Sequence, residues 1–171
     1  LALATAGYAC CIYNGPACGA SAPDHMHLQA LQAGLLPEAR AAWAVVDGAP
    51  ATRLLDSAAL RAWVVPAPGP VVLGFYGVRA AVERALWAAR DVLAEVQGEP
   101  EEPRLNLLAQ GRGDRVLALV FPREAHRPAC FFADEPQRLL ISPGSIDMAG
   151  LFVTVRPQDF QRLDARIVQA I

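Results

Sequence analysis

No lysine occurs in the 171 residues, so all 15 basic side chains are arginine. A cation that meets a phosphate must therefore be arginine or histidine, with backbone N–H groups as the remaining donors. Alanine is abundant, and the two features together read as a bias of overall composition. The 17 acidic residues leave a formal net charge of −2. That balance excludes polyanion binding by bulk charge, and no nucleic-acid partner is expected. No apolar run reaches the ~18 unbroken residues of a membrane span, so no membrane partner is expected either. "LALATAGYACC" lacks the basic leader of a signal peptide. The chain begins at Leu1 and ends at Ile171 in mid-pattern, as a piece of a longer protein would.

Cysteine is sparse, with Cys10, Cys11, Cys18 and Cys130 only. Their spacing is neither a metal knuckle nor a disulfide framework. Reduced, mostly buried thiols in a cytoplasmic protein are expected, with no resident cofactor and no metal. The metal alternative is a zinc site built from Cys10 or Cys18 with His25.

What is present is a hydrophobic fraction of 54% against 19% charged residues, enough for one domain with a real core. Tyr8–Tyr13 reads as a strand ended by Asn14-Gly15-Pro16, and residues 16–23 read as loop. Asp24–Leu31 reads as a second strand. Residues 34–70 suggest short strands at Leu54, Leu55 and "WVVP", and "PVVLGFYG" is a buried strand. Val78–Val96 is the clearest helix, with Val78, Val82, Leu86, Val92, Leu93 and Val96 near one face and Gly98 as its stop. A linker follows near residues 97–103, in the acidic "GEPEEP". "LNLLAQ" and "RVLALVFP" form an antiparallel pair around "GRGD". "RLLISP" and "LFVTVR" read as further strands, and Pro157 opens a last helix with Phe160, Leu163, Ile167 and Ile171 on one side. Strands and helices do not alternate regularly. The expectation is a single α+β domain over residues 1–171 with an antiparallel sheet.

Only three histidines occur, and two of them, His25 and His27, lie two positions apart. On a strand, His25, His27 and Gln29 share one face at about 7 Å intervals, while Met26, Leu28 and Ala30 point to the core. Two imidazoles and a carboxamide supply a nucleophile or base beside a neutral hydrogen-bonding group. The row suits a metal poorly, because glutamine is a weak ligand. The preceding "NGPACGAS" offers backbone N–H groups unshielded by large side chains, a loop able to curl around phosphate oxygens. Phosphate beside imidazole suggests attack on phosphorus by histidine. The bland alternative is a structural pair of satisfied histidines. The tryptophans are expected to pack rather than to stack on a base.

The segment "YNGPACGASAPDHMHLQ" resembles the active-site segment of the histidine-triad superfamily. It is closest to the branch with H-x-H-x-Q, which holds galactose-1-phosphate uridylyltransferases, diadenosine tetraphosphate phosphorylases (ATP adenylyltransferases) and GDP-hexose phosphorylases. Asn14, Gly15, Gly19, Ser21, His25, His27 and Gln29 match that pattern, with a spacer between Ser21 and His25 one residue longer than in the phosphorylases. "LNLLAQGRGDRVLALVFPREAHRP" and "ISPGSIDMAGLFVTVR" more loosely resemble the carboxy-terminal part of the diadenosine polyphosphate phosphorylases. The resemblance implies a HIT-like antiparallel sheet with packed helices. It also implies a nucleotidyltransferase or phosphorylase working through a nucleotidyl-histidine. His27 would attack the α-phosphorus of a dinucleoside polyphosphate or nucleoside diphosphate sugar. His25 would orient it, partly through its backbone carbonyl. Gln29 would bond the α-phosphate, and Asn14, Gly19 and Ser21 would hold phosphate. Inorganic phosphate, a sugar phosphate or water would then take the nucleotidyl group. A hydrolase on the same fold and a non-catalytic nucleotide-binding module are the alternatives. Arg123 and His126 in "FPREAHRP" read either as a cationic clamp on the distal phosphate or as a loop arginine with a capping histidine. Asp147 reads as a turn or cap residue. Oligomeric state is left open.

Overall fold

Both faces of the segment RVLALVFP, Arg115–Pro122, are covered, which is why it carries an almost unbroken apolar run. In the computed structural model, which describes residues 9–20, 24–32, 34–65 and 71–169, this segment is the central strand β7. The strands are β1 (Ala9–Asn14), β2 (Gln29–Gln32), β3 (Thr52–Asp56), β4 (Leu60–Val65), β5 (Val72–Val78), β6 (Leu105–Arg112) and β7. They form one sheet in the order β2-β1-β6-β7-β5-β4-β3, with every neighbouring pair antiparallel. The fold is α+β, as expected.

The helices are α1 (Pro37–Val46), α2 (Arg79–Gln97) and the short α3 (Ala129–Phe132), α4 (Ser145–Met148), α5 (Pro157–Arg162) and α6 (Ala165–Gln169). Strands β5 and β6 both run antiparallel to β7, which lies between them, so they are parallel to each other. Parallel strands need a crossover, and α2 supplies it. It covers one face through Val82, Leu86 and Leu93, against Cys11, Phe75, Ala109, Val116, Ala118 and Val120. Helices α1 and α4 cover the other face, over Cys10, Ile12, Leu108, Leu117, Leu119 and Phe121. Each large side chain buried this way contributes roughly 1.5–3 kcal/mol. Helix α2 ends where expected: Gly98 sits at φ +67°, the left-handed cap that glycine adopts without strain. Among the described residues, no helix is long and apolar enough to cross a membrane.

Several expectations are corrected. Residues 34–51 hold a helix, α1, with Pro37 at its start and Ala39 and Ala42 buried. "RLLISP" and "LFVTVR" join no sheet. Leu139 and Ile141 are buried alternately as in a strand, but the Leu139 N–H donates to Cys130 O (2.9 Å) and the Leu140 N–H to Asp159 Oδ2 (3.2 Å). The last helix is broken at Leu163, and Phe160 is exposed; Ile171 lies outside the described residues. On α2, Val92 and Val96 face solvent, because the buried stripe follows positions 82, 86, 89 and 93. Trp87 is exposed too, whereas Trp63 is buried and Trp43 packs on the core.

Candidate active site

The second strand is much shorter than its apolar alternation suggests. Strand β2 starts only at Gln29, and its pairing with β1 ends there, at Ile12. Beyond Ile12, β1 continues against β6 alone and then turns at Gly15. Residues 25–28 therefore have no ladder partner on β1 and no core beneath them. Met26 is 81% exposed and Leu28 51%, and Ala30 is exposed as well, so none of the three faces the core.

The alternation still brings the two imidazoles to one side. The rings of His25 and His27 lie 5.7 Å apart, centroid to centroid. His27 Nδ1 stands 3.3 Å from the backbone oxygen of His25. A carbonyl oxygen only accepts, so this contact assigns the proton to Nδ1 and, in the neutral ring, the lone pair to Nε2. His25 Nδ1 faces Asp24 Oδ1 at 3.1 Å, an exposed pair that adds little stability but orients the ring. His27 is half-buried, and Gln29 is exposed at the start of the edge strand.

Asn14 anchors the loop that precedes the histidines. Its Oδ1 accepts from the Ser145 N–H (2.6 Å) and from Asn106 Nδ2 (2.8 Å), and Ser145 Oγ lies 2.7 Å away. Asn106 Nδ2 also donates to Cys18 O (2.7 Å), so β6 holds the Gly15–Cys18 turn. Arg123 completes this knot. It is buried, and its Nη1 donates to Asn106 Oδ1 (2.8 Å) and to Pro143 O (2.9 Å). Burial pulls its pKa down, opposed by Cys18 and Asp147. The guanidinium is thus bonded inside the protein, to Asn106, Pro143 and, at 3.4 Å, the Ala125 backbone oxygen. His126 is half-buried in the loop after β7, and its Nδ1 has no hydrogen-bond partner among the described residues.

Gly19 is required by shape. Its φ is +85°, and a Cβ there would stand 2.7 Å from Pro143 O and 2.8 Å from Gly144 Cα. The glycine lets two loops touch, one from each of the segments noted in the sequence. Ser21 lies outside the described residues. Asp147 is a cap, accepting from the Gly144 N–H and the Val153 N–H, both at 2.9 Å.

Beside the histidines lies a cavity of about 170 Å³, lined by Tyr13, Asn14, Asp24, His25, Met26 and Glu102 among others. His27, Gln29, Arg123 and His126 do not line it. The Tyr13 hydroxyl donates to Glu102 Oε1, and burial, reinforced by that carboxylate, pushes the phenol pKa up. Cys18, behind the loop, is also held as a thiol, with its pKa pushed up to about 11 by burial. Among the described residues no three histidine, cysteine or acidic side chains stand close enough to share a metal ion.

A family model described as a domain of unknown function, DUF4922, matches residues 1–32. That span includes β1, the loop and the histidine stretch. Searches of curated proteins and of solved structures return no match.

Sequence reasoning missed Tyr13, Asn106, Ser145 and Glu102. Asn106 had a signal: a polar residue inside the apolar strand "LNLLAQ" must find buried partners. Ser145 and Glu102 had none, because their partners are 131 and 89 residues away, at Asn14 and Tyr13.

Proposed function

We propose that the protein is a nucleotidyltransferase of the phosphorylase type. His27 Nε2 attacks the α-phosphorus of a dinucleoside polyphosphate or nucleoside diphosphate sugar. A phosphorus–nitrogen bond forms, and the bond to the bridging oxygen breaks. The electron pair leaves with the distal phosphate. Inorganic phosphate or a sugar phosphate then attacks the nucleotidyl-histidine, and Nε2 recovers its lone pair. Gln29 donates its amide N–H to an α-phosphate oxygen.

One observation carries this reading. The contact of His27 Nδ1 with the His25 carbonyl leaves Nε2 as the unprotonated nitrogen, which in-line attack requires. The same hydrogen bond stabilises the cationic ring that exists once Nε2 is bonded to phosphorus. The H-x-H-x-Q spacing of His25, His27 and Gln29 supports the same reading.

The test is a mass-spectrometric product screen on the full-length protein. Dinucleoside polyphosphates and ADP-, GDP- and UDP-sugars are offered, each with and without inorganic phosphate. The expected product is a nucleoside diphosphate formed only with phosphate. In His27→Ala the rate should fall at least about a thousandfold. Its unfolding free energy should stay within about 0.5 kcal/mol of wild type, since the ring is half-exposed and bonds only one carbonyl. A nucleoside monophosphate formed without phosphate makes the protein a hydrolase. Nucleotide binding without turnover, unchanged in His27→Asn, makes it a binding module.

A further inference from the structure

The cavity beside His25 differs in charge from a phosphate site. Among the described residues its wall carries two carboxylates, Asp24 and Glu102, and no arginine. Carboxylates repel phosphate oxygens and accept hydrogen bonds from hydroxyl groups. Pro16, Ala20 and Met26 supply apolar wall on the same cavity. Acceptors beside apolar surface match the two aspects of a sugar ring, whose hydroxyls point outward from a face of C–H bonds.

Glu102 is held in place. Arg90 bonds the backbone oxygens of Pro100 and Glu101 just before it. Gln97 bonds both the N–H and the carbonyl oxygen of Arg104 just after it. The connection between α2 and β6 is thus clamped on both sides of Glu102, and Tyr13 fixes the carboxylate through Oε1. A carboxylate oriented in this way can accept from two adjacent hydroxyls, as acidic residues do on the ribose of dinucleotides.

We infer that this cavity, with Glu102 as its specificity-determining residue, holds the vicinal diol of a sugar in the nucleotide substrate, while the phosphates stay outside it on the His27 side. The inference rests on the nucleotidyltransferase reading and deepens it. The diol belongs either to the nucleoside's ribose or to the sugar of a nucleotide sugar, and the two sources separate experimentally.

The full-length wild type, Glu102→Gln and Glu102→Ala are each given α-³²P-labelled dinucleoside polyphosphate, nucleoside diphosphate sugar and the 2′,3′-dideoxy form of each. Labelled protein reports the His27 chemistry, and KM reports the cavity. Glu102→Gln keeps the shape and an acceptor for Tyr13. A roughly ten-fold rise in KM is expected, with kcat within about two-fold, as for loss of a charged hydrogen-bond acceptor. A rise on every ribonucleotide, absent with the dideoxy forms, assigns the diol to ribose. A rise on nucleotide sugars alone assigns it to the transferred sugar. Equal KM in wild type and both variants on all substrates overturns the cavity assignment and leaves the His27 reading standing. If no labelled protein forms with any nucleotide, the His27 reading falls. The cavity is then read by NMR of the His25 ring under adenosine, methyl glucoside and inorganic phosphate. Shifts with a sugar probe that weaken in Glu102→Gln support the diol site. Shifts with phosphate alone, or with none of the three, overturn it.

Discussion

Arg123 shows how one residue can be noticed for one reason and matter for another. A chain without lysine that handles phosphate draws its cation from arginine or histidine, and Arg123 follows the "FP" that ends β7. Its guanidinium instead ties Asn106 on β6 to Pro143, and through Asn106 to Asn14 and the turn before the histidines. Removing it leaves two buried acceptors unpaired. Arg123→Ala should therefore lose about 3 kcal/mol of unfolding free energy, on the scale of charged hydrogen bonds. Urea unfolding measures this directly. An unchanged midpoint together with a raised KM for nucleotide would return the residue to the phosphate site. His25 and His27 were legible from spacing alone, because the alternation that puts residues i and i+2 on one side needs only extended backbone. The partners of Asn14 were not legible, because they come from two distant parts of the chain.

At the scale of elements, apolar periodicity located those that lie in the middle of the sheet and misjudged those at its margins. Strands β5, β6 and β7 follow their patterns, and helix α2 does so except at Val92 and Val96. Residues 26–28 alternate as a strand would, yet β1 pairs with β2 only as far as Ile12, so the pattern has nothing to pair with. Residues 138–142 alternate too, but the Leu139 N–H goes to Cys130 O and the Leu140 N–H to the Asp159 side chain, while those of Arg138 and Ile141 go to the nearby Asp134 and Leu139 carbonyls. Asp159 is the pin for this region. Arg156 binds it with Nε (2.7 Å) and Nη2 (2.8 Å), and together with the Leu140 N–H it holds the carboxyl pKa below its usual value. A depressed carboxyl means that the folded form binds fewer protons than the unfolded chain. Its contribution is complete above the unfolded value near ~4 and is lost as pH falls through the lower folded value. Stability measured from pH 6 downward should fall below about pH 4, and Asp159→Asn should be less stable at pH 6 and flatter across that range. Equal acid sensitivity in the variant would assign the loss to other carboxylates.

At the scale of the molecule, the sheet has a well-covered centre and two thin edges. Strand β7 is buried almost throughout, while all five residues of β3 are exposed and β2 has only Leu31 partly covered. Local opening should follow this gradient. Hydrogen exchange read by mass spectrometry should find the β6–β7 amides slowest and those of β2 and β3 fastest. Protection in β2 equal to that in β7 would contradict the layering. Gln29 opens β2, and residues 25–28 run into it outside the ladder. The proposed chemistry therefore sits at a margin where motion costs little, held by the Asn14 knot rather than by the sheet.

The sequence by itself determined the class of the fold, the central hairpin, the long helix α2 and the pairing of the two imidazoles. Each depends on neighbours within a few residues, where backbone geometry alone sets which side chains share a face. Tertiary structure decided how far β2 extends, that Arg123 is internal, and that Tyr13, Asp24 and Glu102 enclose a cavity beside His25. Those outcomes depend on where a partner strand stops and on which distant groups meet. Hydrogen-bond satisfaction in three dimensions decides both, and no local spacing encodes it.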